Sequence, residues 1–169
     1  MYKLFEFFSK NIKFEDMENY ILEISPMVCL FEYETERYEV FLKKMSKYDC
    51  KQFIFTSELF YRLIEKCQNK EVKIKEIKIS DHFENEFNEE INMLLLDIYS
   101  YSDVSLKKIL NRLKLFEESN GIEIEYVYLS LKENGRTKKI KIFNSGIISS
   151  NLSVDNLKSF LKFYLSEVI

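Results

Sequence analysis

The stretch Ile122–Phe143, IEIEYVYLSLKENGRTKKIKIF, decides the fold. Residues Ile122–Leu131 and Lys138–Phe143 alternate large apolar with polar or charged side chains, the period of a strand buried on one face. Between them, Glu133-Asn134-Gly135-Arg136 supplies the turn, because Asn and Gly tolerate positive φ at both central positions of a tight hairpin. The two segments are therefore expected to pair antiparallel. Beyond them, Gly146 permits another turn and Ile147–Ile148 form a short third strand. Ser153 is placed to cap a last helix with Leu157, Phe160, Leu161, Tyr164, Leu165 and Val168 on one face.

Two amphipathic helices precede the hairpin. One opens at Asp81 and carries Phe83, Phe87, Ile91, Leu94, Leu95 and Ile98 in one stripe, with acids opposite. SYSDVS interrupts the pattern, and a second helix follows with Leu106, Ile109, Leu110, Leu113 and Phe116 inward. Asn120–Gly121 supplies its left-handed stop. Upstream, Val72–Ile79 (VKIKEIKI) alternates in two frames: Val72 and Ile74 share one phase, Ile77 and Ile79 the other. A strand there must change face at Lys75–Glu76, which predicts a β-bulge or a strand buried only in part.

The N-terminal third reads as strand, helix and strand in short pieces. Tyr2–Phe8 and Met27–Tyr33 are expected as strands, and Phe14–Ile21 as a short helix with acids at its positive end. Tyr38, Phe41, Leu42, Met45 and Tyr48 recur at helical spacing over residues 35–48. Gln52–Phe55 reads as a short strand. Thr56 or Ser57 then caps a helix with Leu59, Phe60, Leu63, Ile64 and Cys67 on its apolar face. These elements predict an α+β fold over residues 1–169 as a single domain. It has a mixed sheet, a C-terminal antiparallel hairpin turning at Asn134-Gly135, and several amphipathic helices packed on the sheet. No Gly/Ser/Pro-rich linker or internal repeat divides the chain.

Composition narrows the class. The 169 residues carry a net charge of −3, 46% hydrophobic and 15% aromatic side chains, 15 Phe and 11 Tyr, but no Ala, no Trp, one Pro and three Gly. Low-complexity and disordered classes are excluded, since so much large apolar surface offsets ordering entropy. Absent Ala, abundant Ile and Asn, and Lys far in excess of Arg point to AT-rich coding, in a bacterium, phage or mobile element. The apolar run Met93–Leu96 is far short of the roughly 18–20 residues of a membrane span. Glu6 breaks the N-terminal hydrophobic cluster that a secretory signal would need. A cytoplasmic location with no membrane association is expected.

Catalytic motifs are scarce. Three widely spaced cysteines (Cys29, Cys50, Cys67) give neither a disulfide scaffold nor a zinc site. Cys29 and Cys67 sit among core positions, and Asp49 disfavours a thiolate at Cys50. His82, the only histidine, stands beside Asp81 with no nucleophile to serve. Glu71-Val-Lys73 and Glu76-Ile-Lys78 have the E-x-K spacing of some metal-dependent nucleases, but alternating Glu and Lys also make the wet face of a strand. Each glycine is explained by a turn, which excludes phosphate-binding Gly-rich loops. No cofactor, metal or catalytic residue is assigned.

Charge is segregated along the chain. Residues 14–42 hold eight acids and one base; residues 81–100 hold six acids and no base. Residues 43–80 hold ten bases and five acids, and the hairpin turn, 132–141, five bases and one acid. Two binding readings follow. In the first, the chain is a non-enzymatic protein-binding module: a small inhibitor, immunity, anti-defence or adaptor protein. It blocks a protein partner sterically, steered by an acidic face at Glu84, Glu86, Glu89 and Glu90. In the second, it is a nucleic-acid-binding accessory protein using the basic hairpin residues Arg136, Lys138, Lys139 and Lys141. A metal-dependent nuclease is the third reading. A homodimer through a strand edge or the last helix is compatible with each.

Overall fold

A computed structural model describes residues 1–8, 21–25, 27–32, 34, 36, 38–67, 72–80, 84–98, 104–121 and 123–165. Eight strands and five helices lie among them: β1 Tyr2–Phe7, β2 Ile21–Ser25, β3 Val28–Glu32, α1 Tyr38–Met45, β4 Cys50–Gln52, α2 Ser57–Lys66, β5 Val72–Ser80, α3 Glu84–Ile98, α4 Val104–Asn120, β6 Glu123–Glu133, β7 Arg136–Phe143, β8 Ile147–Ser150 and α5 Val154–Leu165. The fold is α+β, as the sequence predicts. These elements gather into two compact units, Met1–Ile54 with Ser145–Ile169, and Phe55–Asn144. Every strand pair within each unit is antiparallel, including the N-terminal ones, whose short connections admit either sense. Among the described residues, no helix is long and apolar enough to cross a membrane.

In the first unit, β1 pairs with β3 along one edge. Its other edge is shared, by β8 at Tyr2–Lys3 and by β4 at Phe5–Phe7. Both faces of β1 and β3 are buried. Phe5, Phe7, Cys29 and Phe31 point to one face, where Met45 and Phe41 of α1 close over them. The Phe5, Phe31 and Phe41 rings meet edge to face at 5.5–5.7 Å, the geometry that aromatic quadrupoles favour. Leu4 and Leu30 are fully buried on the opposite face. Lys3 is also buried, in phase with the phenylalanines, and its ammonium donates to the Ser145 carbonyl. Burial pushes its amine below the usual lysine range.

The turn that follows is tightly built. Gly146 has φ +78° and accepts a hydrogen bond from Leu4 N at 3.0 Å. A Cβ there would lie 2.1 Å from the Phe53 carbonyl oxygen, so only glycine fits. The expected strand Gln52–Phe55 is shifted: β4 ends at Gln52. Phe53 and Phe55 turn inward as anchors while Ile54 is exposed. Phe53 N instead bonds Leu4 O.

In the second unit, β5, β6 and β7 form an antiparallel sheet, with α2 against β6, α3 against β5 and α4 against α3. The core holds Phe60, Leu63, Ile64, Ile77, Val127, Leu129, Ile140, Ile142, Ile91 and Ile109, all fully buried. Thr56 caps α2, accepting from Leu59 N through its hydroxyl. Helix α4 begins at Val104, within the expected SYSDVS interruption, whose first four residues lie outside the described residues. Gly121 N bonds Glu117 O at its end. Asn134 and Gly135 both take positive φ, and the hairpin closes at Glu133↔Arg136. The predicted bulge is present: the β5–β6 register shifts between Ile74 and Glu76, leaving Lys75 as the extra residue. The expected helix Phe14–Ile21, apart from Ile21, which opens β2, and the Asp81–His82 pair lie outside the described residues.

Candidate functional site

The β5–β6–β7 sheet has one face against helices and a second face built of different side chains. Two irregularities set which residue goes where. The Lys75 bulge brings Ile77 and Ile79 back into the core phase. A second shift, between Lys78 and Ile79, leaves Glu125 of β6 extra, so Ile124 and Val127 are both buried. A one-residue slip turns every later side chain to the other face. Tyr126 and Tyr128 are thereby carried to the face away from the core.

That face is ordered in three ranks across the strands. Lys78, Tyr126 and Phe143 lie abreast, then Glu76, Tyr128 and Lys141, then Lys73, Ser130 and Lys139. Tyr126, Tyr128 and Phe143 are half-buried, and Lys73, Lys75 and Lys139 exposed. β5 and β7 together hold seven bases and one acid, Glu76.

The middle of the face is pre-ordered. The Tyr126 hydroxyl donates to Glu76 Oε1 at 2.8 Å. The Lys141 ammonium sits 3.4 Å from the centroid of the Tyr126 ring and 5.3 Å from that of Phe143, a cation–π arrangement. The Tyr126 and Phe143 rings are 5.4 Å apart. Burial, then the Glu76 carboxylate, pushes the Tyr126 phenol up to about 12.

The predicted basic residues divide between two faces. Lys139 and Lys141 stand on this face. Arg136 and Lys138 belong to the other phase of β7, where Lys138 Nζ lies 3.2 Å from Glu133 Oε2. The sequence reading singles out no aromatic residue for this face, which carries Tyr126, Tyr128 and Phe143. A signal for the two tyrosines exists in IEIEYVYL, where a regular strand would put buried Ile124 in phase with Tyr126, while Val127 and Leu129, also buried, take the other phase.

The predicted acidic residues all lie on α3. Glu89 is exposed. Glu90 is held by Arg112 in a two-pronged pair at 2.7 and 2.9 Å, the fork geometry of guanidinium and carboxylate. The Arg112 guanidinium also lies over the Phe116 ring at 4.5 Å. Glu84 and Glu86 belong to the first turn of α3, and their side chains lie outside the described residues. Glu89, Met93 and Leu96 share one stripe at helical spacing, with Met93 67% and Leu96 69% exposed.

The thiols are shielded to different degrees. Cys29 and Cys67 are buried, and burial raises the Cys67 thiol to about 12. The Cys50 thiol is raised by burial and then by Asp49. No protein-family model, curated protein or solved structure matches the chain.

Proposed function

We propose that this protein binds nucleic acid through the face of the β5–β6–β7 sheet that carries Lys73, Lys75, Lys78, Lys139 and Lys141. The observation that supports this reading is the interleaving of those lysines with half-buried aromatics on one antiparallel sheet. Phosphates are recognised by lysine ammonium groups, with counterion release driving affinity. The overall acidity of the chain does not oppose it, because five of the six acids of residues 81–100 belong to α3, whereas β5 and β7 hold seven bases and one acid.

The test is fluorescence anisotropy with labelled DNA and RNA oligonucleotides across a salt series. Affinity is expected to fall steeply with salt. Removing Lys73, Lys139 or Lys141 is expected to reduce the log–log salt slope by about one each. Reversal of the exposed α4 residues Lys107 and Lys108 serves as control and changes little. Absence of binding to every oligonucleotide at low salt refutes the proposal.

The protein-binding reading draws support from one observation, the exposed stripe Glu89–Met93–Leu96, which mixes acid and large apolar groups. Met93→Ser with Leu96→Ser is expected to abolish capture of a protein partner while leaving oligonucleotide binding intact. Unchanged capture refutes it.

A further inference from the structure

Resting on the nucleic-acid reading above, we infer that the ligand is a single strand, whose bases stack on Tyr128 and Phe143 while Lys73, Lys139 and Lys141 meet its phosphates. Aromatic rings add affinity only where bases are unstacked and free to lie on them. A duplex keeps its bases inside and would gain nothing from these rings. The aromatics stand on the central and one flanking strand, with lysines abreast of and beyond them, so a backbone following the lysines passes its bases over the rings.

The rings have different roles. Tyr126 is the more engaged ring: its hydroxyl holds Glu76 and its face takes the Lys141 ammonium at 3.4 Å, whereas that ammonium stands 5.3 Å from the Phe143 ring. It is a positioning residue that fixes Lys141 between the two platforms. Tyr128 lies abreast of Lys141 on the neighbouring strand, and Phe143 stands two residues on from Lys141 along β7. Each platform thus has a cation beside it, the pairing that single-strand channels use.

The experiment compares a homopyrimidine DNA strand, the matching RNA strand and the duplex by anisotropy. Single strands are expected to bind at least about tenfold more tightly than duplex. Tyr128→Leu and Phe143→Leu, which keep apolar bulk without a ring, are expected to weaken single-strand binding about tenfold each and to leave duplex binding unchanged. Tyr128→Phe is expected to retain affinity. A thermal melt of each variant confirms folding, and the Phe variant keeps the inference testable should a Leu variant misfold. Preference for the DNA or the RNA strand identifies the source of the ligand, and either supports the inference. If duplex binds as tightly as single strands and Tyr128→Leu is neutral, the single-strand inference falls while nucleic-acid binding stands. If no oligonucleotide binds, both fall.

Discussion

Gly146→Ala is expected to be the most damaging glycine substitution in the chain. Two costs combine. The residue has φ +78°, and a left-handed conformation costs a side-chain-bearing residue about 1–2 kcal/mol. The added Cβ would also meet the Phe53 carbonyl oxygen at 2.1 Å and its carbon at 3.1 Å. Both are backbone atoms that no rotamer change removes. Phe53 N is bonded to Leu4 O, and Leu4 N to Gly146 O, each at 3.0 Å, so the clash propagates into β1. Overpacking of this kind adds about 1–3 kcal/mol, giving about 2–5 kcal/mol in all. Gly135→Ala is the internal control. Its φ is +75°, but nothing lies within 4 Å of the new Cβ, so only the conformational cost of about 1–2 kcal/mol applies. Urea denaturation followed by circular dichroism measures both variants. For a chain of this size each kcal/mol also moves the melting midpoint by roughly 2–4 °C. Equal losses for the two alanines would refute the steric part of the reasoning.

Two further outcomes are expected. Tyr126 should titrate late, near 12 rather than its ordinary 10.0. Because the folded-state value is raised, the stability from its contact with Glu76 is fully present below pH 10 and lost as pH rises through about 12; tyrosinate absorbance in wild type against Tyr126→Phe checks this. Glu76→Gln keeps an acceptor for Tyr126 but removes the one acid of β5 and β7, so oligonucleotide affinity at low salt should rise about two- to fivefold, and an unchanged or weaker affinity refutes the assignment of the face.

Much of the fold is legible in the residue pattern, and particular residues show why. Asn134-Gly135 specifies its turn locally, through φ preferences that no tertiary contact needs to supply. The Lys75 bulge is readable because Val72/Ile74 and Ile77/Ile79 sit in opposite phases. The site is less legible. Tyr126 and Tyr128 reach the outer face only through the second bulge, at Glu125, and a strand with both Ile124 and Tyr126 in one phase looks regular until Val127 is paired with Ile77 and Ile142. Cross-strand pairing is non-local information. The shift of β4 from the expected Gln52–Phe55 has a similar origin. Phe53 and Phe55 are strand formers by propensity, yet the close approach of Phe53 to Gly146 fixes them as anchors. Lys3 is a third instance, a charged residue in a buried strand whose partner, the Ser145 carbonyl, is 142 positions away.

One feature of α3 bears on how the protein behaves in a crowded solution. Asn88 is buried and turns its amide onto β5: Ile79 N donates to its Oδ1 at 3.0 Å, and its Nδ2 reaches Ile79 O at 3.5 Å. The side chain thus occupies the place of a neighbouring strand at the outer end of the sheet order, where β5 lies. The bulge at Lys75 bends the same strand, and Lys73, Lys75 and Lys78 load it with positive charge. Occupied hydrogen-bonding groups, a bend and like charges are three of the means by which sheet edges resist templating another chain. A chain this rich in Phe, Tyr and Ile is a natural candidate for strand-to-strand aggregation, and β5 carries features that oppose such growth at its edge. Self-association through this edge is thereby disfavoured. Asn88→Ala is the change that would reopen it, leaving an unmet N–H and carbonyl for a second molecule to find.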